Sequence, residues 1–208
     1  MLHGLYAITD SQSAPADALL EQVAQAIAGG ARLIQYRDKY HSAAERKRTA
    51  TRLVSLCKQQ DVPLIINDDV ELAREAGAAG VHLGRHDTSV SEARQRLGAE
   101  VIIGVSCYNQ LENAVEAARA GASYIAFGRF FPSHSKPDAV AADISLLEQA
   151  RAQFDLPIVA IGGITPENGR QLVEAGANLL AVIHGVFGQA DIQAAARQYT
   201  NCFSVNRG

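Results

Sequence analysis

The sequence predicts an α/β protein, a (β/α)8 barrel of the TIM type formed as a single domain from residues 1–208. Three observations carry that prediction. One pattern occurs four times: "AGGARLIQY" begins at Ala28, "EAGAAGVHLG" at Glu75, "RAGASYIAFG" at Arg119 and "EAGANLLAVI" at Glu174. Four further apolar runs lie between those copies. The stretches that separate the eight runs are mostly helix formers, so strand and helix alternate along the whole chain.

The first strand is "GLYAIT" (4–9), followed by a helix over 16–28. In each repeated segment a glycine (Gly30, Gly77, Gly121 or Gly176) ends a helix in the left-handed conformation and releases the chain into a short apolar strand. These strands are short and often β-branched, as expected of a parallel sheet buried on both faces. The intervening strands are "PLIIN" (63–67), "VIIGVS" (101–106) and "PIVAIGG" (157–163). The remaining helices are expected over 43–60, 70–76, 90–97, 111–120, 144–154, 166–175 and 192–199. An open doubly wound sheet is the alternative, but the dinucleotide fingerprint that would support it is missing. The longest irregular stretch, 129–143, follows the sixth strand, and a loop of that length in a compact domain is usually functional.

Composition narrows the function classes. The chain carries 19 Lys and Arg against 22 Asp and Glu, a net charge of −3, so no general basic field attracts nucleic acid. The one basic cluster, "ERKR" at 45–48, reads as a solvated helix face. Three widely spaced cysteines, Cys57, Cys107 and Cys202, form neither a disulfide framework nor a metal motif, which favours a reducing compartment. No window approaches the roughly 20 apolar residues of a membrane span. A cytoplasmic protein with no nucleic-acid or membrane partner is expected; a homo-oligomer stays open.

In a barrel of this kind chemistry gathers where the strands end. The second strand runs into Gln35, Tyr36, Arg37, Asp38 and Lys39; the third into Asn67, Asp68 and Asp69; the fourth into "GRHD", ending at Asp87. The fifth ends at Ser106, the sixth feeds Ser133, His134, Ser135 and Lys136, the seventh reaches Gly162 and Gly163, and the eighth His184 and Gly185. Arg37, Lys39 and Lys136 are cations and Asp68 and Asp87 acids, all from different loops apart from the Arg37–Lys39 pair. Carboxylates beside cations suggest Mg²⁺ holding a polyphosphate, since Mg²⁺ takes one or two carboxylates together with phosphate oxygens. The glycines after strands seven and eight allow backbone amides to approach a second anion. Plainer readings compete: a carboxylate after a strand often caps a helix, Arg37 could pair with Asp38, and Gly162–Gly163 could be only a turn. His82, His86, His134 and His184 with Asp87 could form a zinc site, but no zinc-binding spacing is present. His82 lies inside a strand and reads as a satisfied core residue, and Cys107 as a packed thiol.

The motifs "LYAITD", "QYRDK", "IINDDVELA", "AGVHLGRHD", "IIGVSCY", "YIAFGRFFPSHSKPDA" and "VAIGGITPENG" cover nearly the whole chain. In their order and spacing the sequence resembles the thiamine-phosphate synthase family. The resemblance implies an alkyl transfer that joins a hydroxymethylpyrimidine diphosphate to a thiazole phosphate, giving thiamine phosphate and pyrophosphate. It implies that Gln35, Tyr36, Arg37, Asp38, Lys39, Asn67, Ser106 and Lys136 bind the pyrimidine diphosphate, and that Asp68 and Asp87 hold Mg²⁺. Ser133, His134, Ser135, Gly163, Ile183 and His184 would bind the thiazole phosphate. Arg37, Lys39, Lys136 and Ser106 form the implied catalytic set; the three cations would stabilise the departing pyrophosphate. The loop after strand six would then serve both substrates.

The sequence departs from the family pattern at His184, where a serine is common, and at Arg85–His86, where Gln-Glu is common. The threonines common in the family's loop after strand six are serines here, which keeps the hydroxyls. A thiazole tautomerase of the same fold is one alternative, although it has no need of a metal–diphosphate site. A non-catalytic thiamine-phosphate-binding protein is another.

Overall fold

The computed structural model describes residues 2–10, 16–132 and 140–204. The chain alternates β1 (Gly4–Ile8), α1 (Ala16–Ala28), β2 (Ala31–Tyr36), α2 (Ala43–Gln59), β3 (Leu64–Asn67), α3 (Val70–Ala76), β4 (Gly80–Leu83) and α4 (Val90–Leu97). It continues with β5 (Ile102–Tyr108), α5 (Leu111–Arg119), β6 (Tyr124–Phe127), α6 (Ser145–Gln153), β7 (Ile158–Ile161), α7 (Pro166–Glu174) and β8 (Leu179–Val182). Two helices, α8 (His184–Phe187) and α9 (Ile192–Asn201), end it. All eight strands are parallel and paired in chain order, and β8 returns to pair with β1, closing the barrel.

The eight expected strands and eight expected helices are all present, with edges shifted by no more than two residues. The correction is α8, a four-residue helix directly after β8 that makes the count nine among the described residues. A single helical turn is too short to show periodicity, so the sequence pattern cannot reveal it. Gly30, Gly77, Gly121 and Gly176 all have positive φ, between 66° and 118°, in keeping with helix termination followed by a turn into the next strand.

Local chemistry fixes several helix starts. Ser42 and Glu45 form a reciprocal capping box on α2, and Thr165 with Asn168 does the same on α7, where Pro166 takes the first helical position. Asp69 caps α3 by accepting from the Leu72 amide at 2.9 Å and binds Arg46 of α2 at 2.9 Å.

The core has two layers. The larger lies between strands and helices and takes Leu5, Ile34, Leu53, Ile66, Ile103, Ile125, Leu147, Leu172 and Ala196, all buried. The smaller fills the barrel lumen with Tyr6, Ile8, Leu33, Ile65, Tyr124, Val159 and Leu179. Gly104 makes this second layer possible. A Cβ there would stand 1.9 Å from Cζ of Tyr124, so a strand without a side chain at that point lets a tyrosine ring occupy the lumen. No helix among the described residues is long and apolar enough to cross a membrane.

Candidate active site

The rim is assembled from loops that the strands hold in fixed register. Thr9, buried just after β1, accepts from the Arg37 amide through Oγ1 at 3.0 Å and so ties the end of β2 to β1. Beyond Arg37 the chain turns around Asp38. Its carboxylate accepts from the Tyr36 hydroxyl at 2.8 Å, from the Tyr40 amide at 3.0 Å and from the His41 amide at 3.2 Å, and meets His41 Nδ1 at 2.9 Å. Burial works to raise the Asp38 pKa, but the bonds from Tyr40, Tyr36 and His41 together hold it below the usual carboxylate range. Tyr36 is buried in the outer layer. Tyr36 and Asp38 therefore frame a loop on which Arg37 and Lys39 are carried.

Lys39 reaches across to β3, where its Nζ lies 3.5 Å from Oδ2 of Asp68. Asp68 has a φ of 63°, left-handed for a residue with a side chain, and its amide donates to the His82 carbonyl at 2.8 Å. The next residue, Asp69, is the helix cap, so the plain reading of a carboxylate after a strand holds for Asp69 and leaves Asp68 to the rim. The Asp87 carboxylate lies within hydrogen-bonding reach of Asp68. It is itself fixed by the Gly84 amide, which donates to its Oδ2 at 2.7 Å. Burial raises the Asp68 pKa most, and contact with Asp87 and its negative charge raise it further, while Lys39 opposes them. Two carboxylates held side by side need a proton or a cation between them. Their oxygen-only chemistry fits Mg²⁺, which would complete its shell with water and phosphate oxygens. Among the described residues no three His, Cys, Asp or Glu come together as a metal cluster, so the zinc alternative gains no ligand set there.

Behind this edge the lumen is polar. Gln35, 2% exposed, donates from Nε2 to the Tyr6 hydroxyl at 2.6 Å. The Tyr6 and Tyr124 hydroxyls are 2.7 Å apart. Nδ1 of His82 is 3.0 Å from the Tyr124 hydroxyl, and its Nε2 is 2.9 Å from Oγ of Ser106. His82 is thus satisfied, as expected, but its partner is a rim residue. Asn67 is half-buried at the end of β3, in register with His82. Tyr6 and Tyr124 escaped the sequence reading; the only trace was a hydroxyl on an aromatic ring within otherwise apolar strands.

On the far side the glycines serve the fold before any ligand. A Cβ on Gly163 would stand 2.3 Å from the Pro132 carbonyl, and one on Gly162 2.2 Å from Cβ of Arg129. The start of the β6 loop occupies that space, with the Phe130 amide bonded to the Ile161 carbonyl at 3.2 Å and the Phe131 amide to that of Gly162 at 3.0 Å. Gly185 leaves room for the Tyr199 hydroxyl, which donates to the Ile164 carbonyl at 3.1 Å. Ile183 is the residue before α8 and His184 its first residue. The His184 ring lies over Gly188, where an added Cβ would be 2.1 Å from Nδ1. Ser133, His134, Ser135 and Lys136 lie outside the described residues.

Comparison with known proteins bears on the same stretches. A family profile described as "Thiamine monophosphate synthase" matches residues 5–186. The chain is 54% identical to the thiamine-phosphate synthase of Nitrosococcus oceani over 202 residues, covering 97% of this chain and 93% of the relative. It is 51% identical to that of Alcanivorax borkumensis, covering 99% and 96% respectively. Its fold is similar to a solved thiamine phosphate pyrophosphorylase from Pyrococcus furiosus, with a TM-score of 0.87, 33% identity and coverage of 96% of this chain and 94% of that one. With a match that runs through every loop of the rim, the chain belongs to the thiamine monophosphate synthase family.

Proposed function

We propose that this chain condenses an aminopyrimidine-methyl diphosphate with a thiazole phosphate, forming thiamine phosphate and releasing pyrophosphate. The observation that carries the reading is the meeting of Asp68, Asp87 and Lys39, from three different loops, at the mouth of the barrel. That is the arrangement a metal–diphosphate group requires. In the reaction the bond between the pyrimidine methylene and the diphosphate oxygen breaks, and the oxygen keeps the electron pair. The thiazole nitrogen then bonds to the methylene carbon. No protein nucleophile is needed, because the thiazole nitrogen already has a lone pair.

The residues divide accordingly. Arg37, Lys39 and Lys136 are the cations that would stabilise charge developing on the diphosphate. Asp68 and Asp87 would hold Mg²⁺, which supplies Lewis-acid stabilisation of the leaving group when bound. Gln35, Asn67 and Ser106 line the pyrimidine side. Ser133, His134 and Ser135, with backbone around Gly163, Ile183 and His184, take the thiazole phosphate. Tyr36 and Asp38 act by shaping the loop that presents Arg37 and Lys39. The work takes place in the cytoplasm on small phosphorylated substrates.

Pyrophosphate release from the purified protein with both substrates and Mg²⁺ tests the proposal. Release that needs both substrates and stops in chelator supports it. Isomerisation of the thiazole phosphate alone would point to a tautomerase, and binding without turnover to a sensor.

A further inference from the structure

Five side chains form one hydrogen-bonded chain across the lumen: Gln35, Tyr6, Tyr124, His82 and Ser106, from β2, β1, β6, β4 and β5. Each link is between 2.6 and 3.0 Å. Both tyrosines are 1% exposed or less, and burial raises both of their pKa values, so the hydroxyls stay neutral. Three middle members lie beneath two rim residues, and nothing about barrel packing demands hydroxyls there; phenyl rings would fill the same space.

A neutral chain of this kind has a direction. In the direction set by Gln35 Nε2 donating, the Tyr6 oxygen accepts and its single hydrogen goes to Tyr124. The Tyr124 hydrogen then goes to Nδ1 of His82, which must be bare. In that direction the His82 proton belongs on Nε2, donated to Ser106 Oγ, which leaves the Ser106 hydrogen to point onward. The same orientation leaves the Gln35 carbonyl oxygen as the acceptor on the other branch of the amide. Reversal would require a flipped amide, three rotated hydroxyls and a changed tautomer together, since any partial change leaves a buried donor or acceptor without its partner.

We propose that Tyr6 and Tyr124 are positioning residues which, acting through His82, fix the polarity with which Gln35 and Ser106 meet the pyrimidine: Gln35 as acceptor, Ser106 as donor. This rests on the reading that both line the pyrimidine side of the site. A 4-aminopyrimidine presents an amino donor beside a ring-nitrogen acceptor and matches that polarity. A 4-oxopyrimidine presents a carbonyl acceptor beside a ring N–H and opposes it. The lumen chain thus selects amino over oxo rings from beneath the site, through residues that do not touch the substrate.

Two measurements test this separately from the overall activity. Nitrogen-15 spectra of histidine-labelled, substrate-free protein, with the His82 signal assigned by its loss in His82→Asn, should show the proton on Nε2 and a bare Nδ1. A proton on Nδ1 overturns the polarity whatever the protein catalyses. Kinetics then compare 4-amino and 4-oxo pyrimidine diphosphates. In Tyr6→Phe and Tyr124→Phe the ratio of kcat/KM for amino over oxo substrate should fall by on the order of tenfold, with the thiazole-phosphate KM unchanged. An unchanged ratio in the variant that folds overturns the proposal, because a purely structural loss would weaken both substrates alike. If the wild-type protein turns over neither substrate, the reading of the activity fails, and the tautomer measurement still decides the chain.

Discussion

Lys39 Nζ stands 3.5 Å from Oδ2 of Asp68, an ion pair between the loops after β2 and β3. Asp68 is also pressed against Asp87, so one lysine is set against two carboxylates. The pair is half open to solvent, 55% for the lysine side chain and 35% for the aspartate, and so contributes little to stability by itself. On the proposed function its role is in binding: a divalent cation would offset the second carboxylate.

Asp87→Asn should therefore act in opposite directions on activity and stability. In chelator it relieves the repulsion that helps raise the Asp68 pKa, and the melting temperature should rise. With Mg²⁺ and both substrates, turnover should fall on the order of a hundredfold. Calorimetry and pyrophosphate release check the two halves; a lower melting temperature in chelator would show that the carboxylates do not oppose each other.

Gly104→Ala should damage the lumen directly. Its new Cβ would overlap the Tyr124 ring, which is enclosed on every side. Overpacking of this kind costs about 1–3 kcal/mol, and urea unfolding would measure it. Tyr124 would have to shift, so the pyrimidine-diphosphate KM should rise as well.

The cysteines should be inert. Burial pushes the Cys57 and Cys107 thiols from an ordinary value of 9.0 up to about 12. Near pH 8 roughly one thiol in ten thousand is then ionised, so alkylation of the folded protein should be slow and should accelerate on unfolding. The sign for stability follows. The folded chain holds these protons more tightly than the unfolded chain, so their contribution is complete below about pH 9 and is lost as pH rises toward about 12. Chemical denaturation across that range should show a falling midpoint, and Cys57→Ser should reduce the slope.

His184→Ser should leave turnover and the thiazole-phosphate KM unchanged, because the ring rests over Gly188. Steady-state kinetics of the two proteins would show it. A raised thiazole-phosphate KM in the variant would mean that the side chain reaches the phosphate.

Much of this molecule was determined by the sequence alone. Alternating apolar runs and helix formers, with Gly30, Gly77, Gly121 and Gly176 at the joints, specify the βα repeat, because helix termination and strand burial are local matters. The order of the rim residues follows, since in this fold the end of every strand reaches the same mouth. What only the tertiary structure decided is which residues meet. Asp68 and Asp87 touch because β3 and β4 are neighbours in register, and Asp69, one residue on, becomes a helix cap instead. The lumen chain is the clearer case. Tyr6 and Tyr124 are 118 residues apart and meet only after β8 has closed onto β1. Strands in a closed parallel barrel are apolar on both faces, so alternation in the sequence cannot show which side chains turn inward. The absent side chain of Gly104 gives the Tyr124 ring its place, and that fit exists only between strands already aligned.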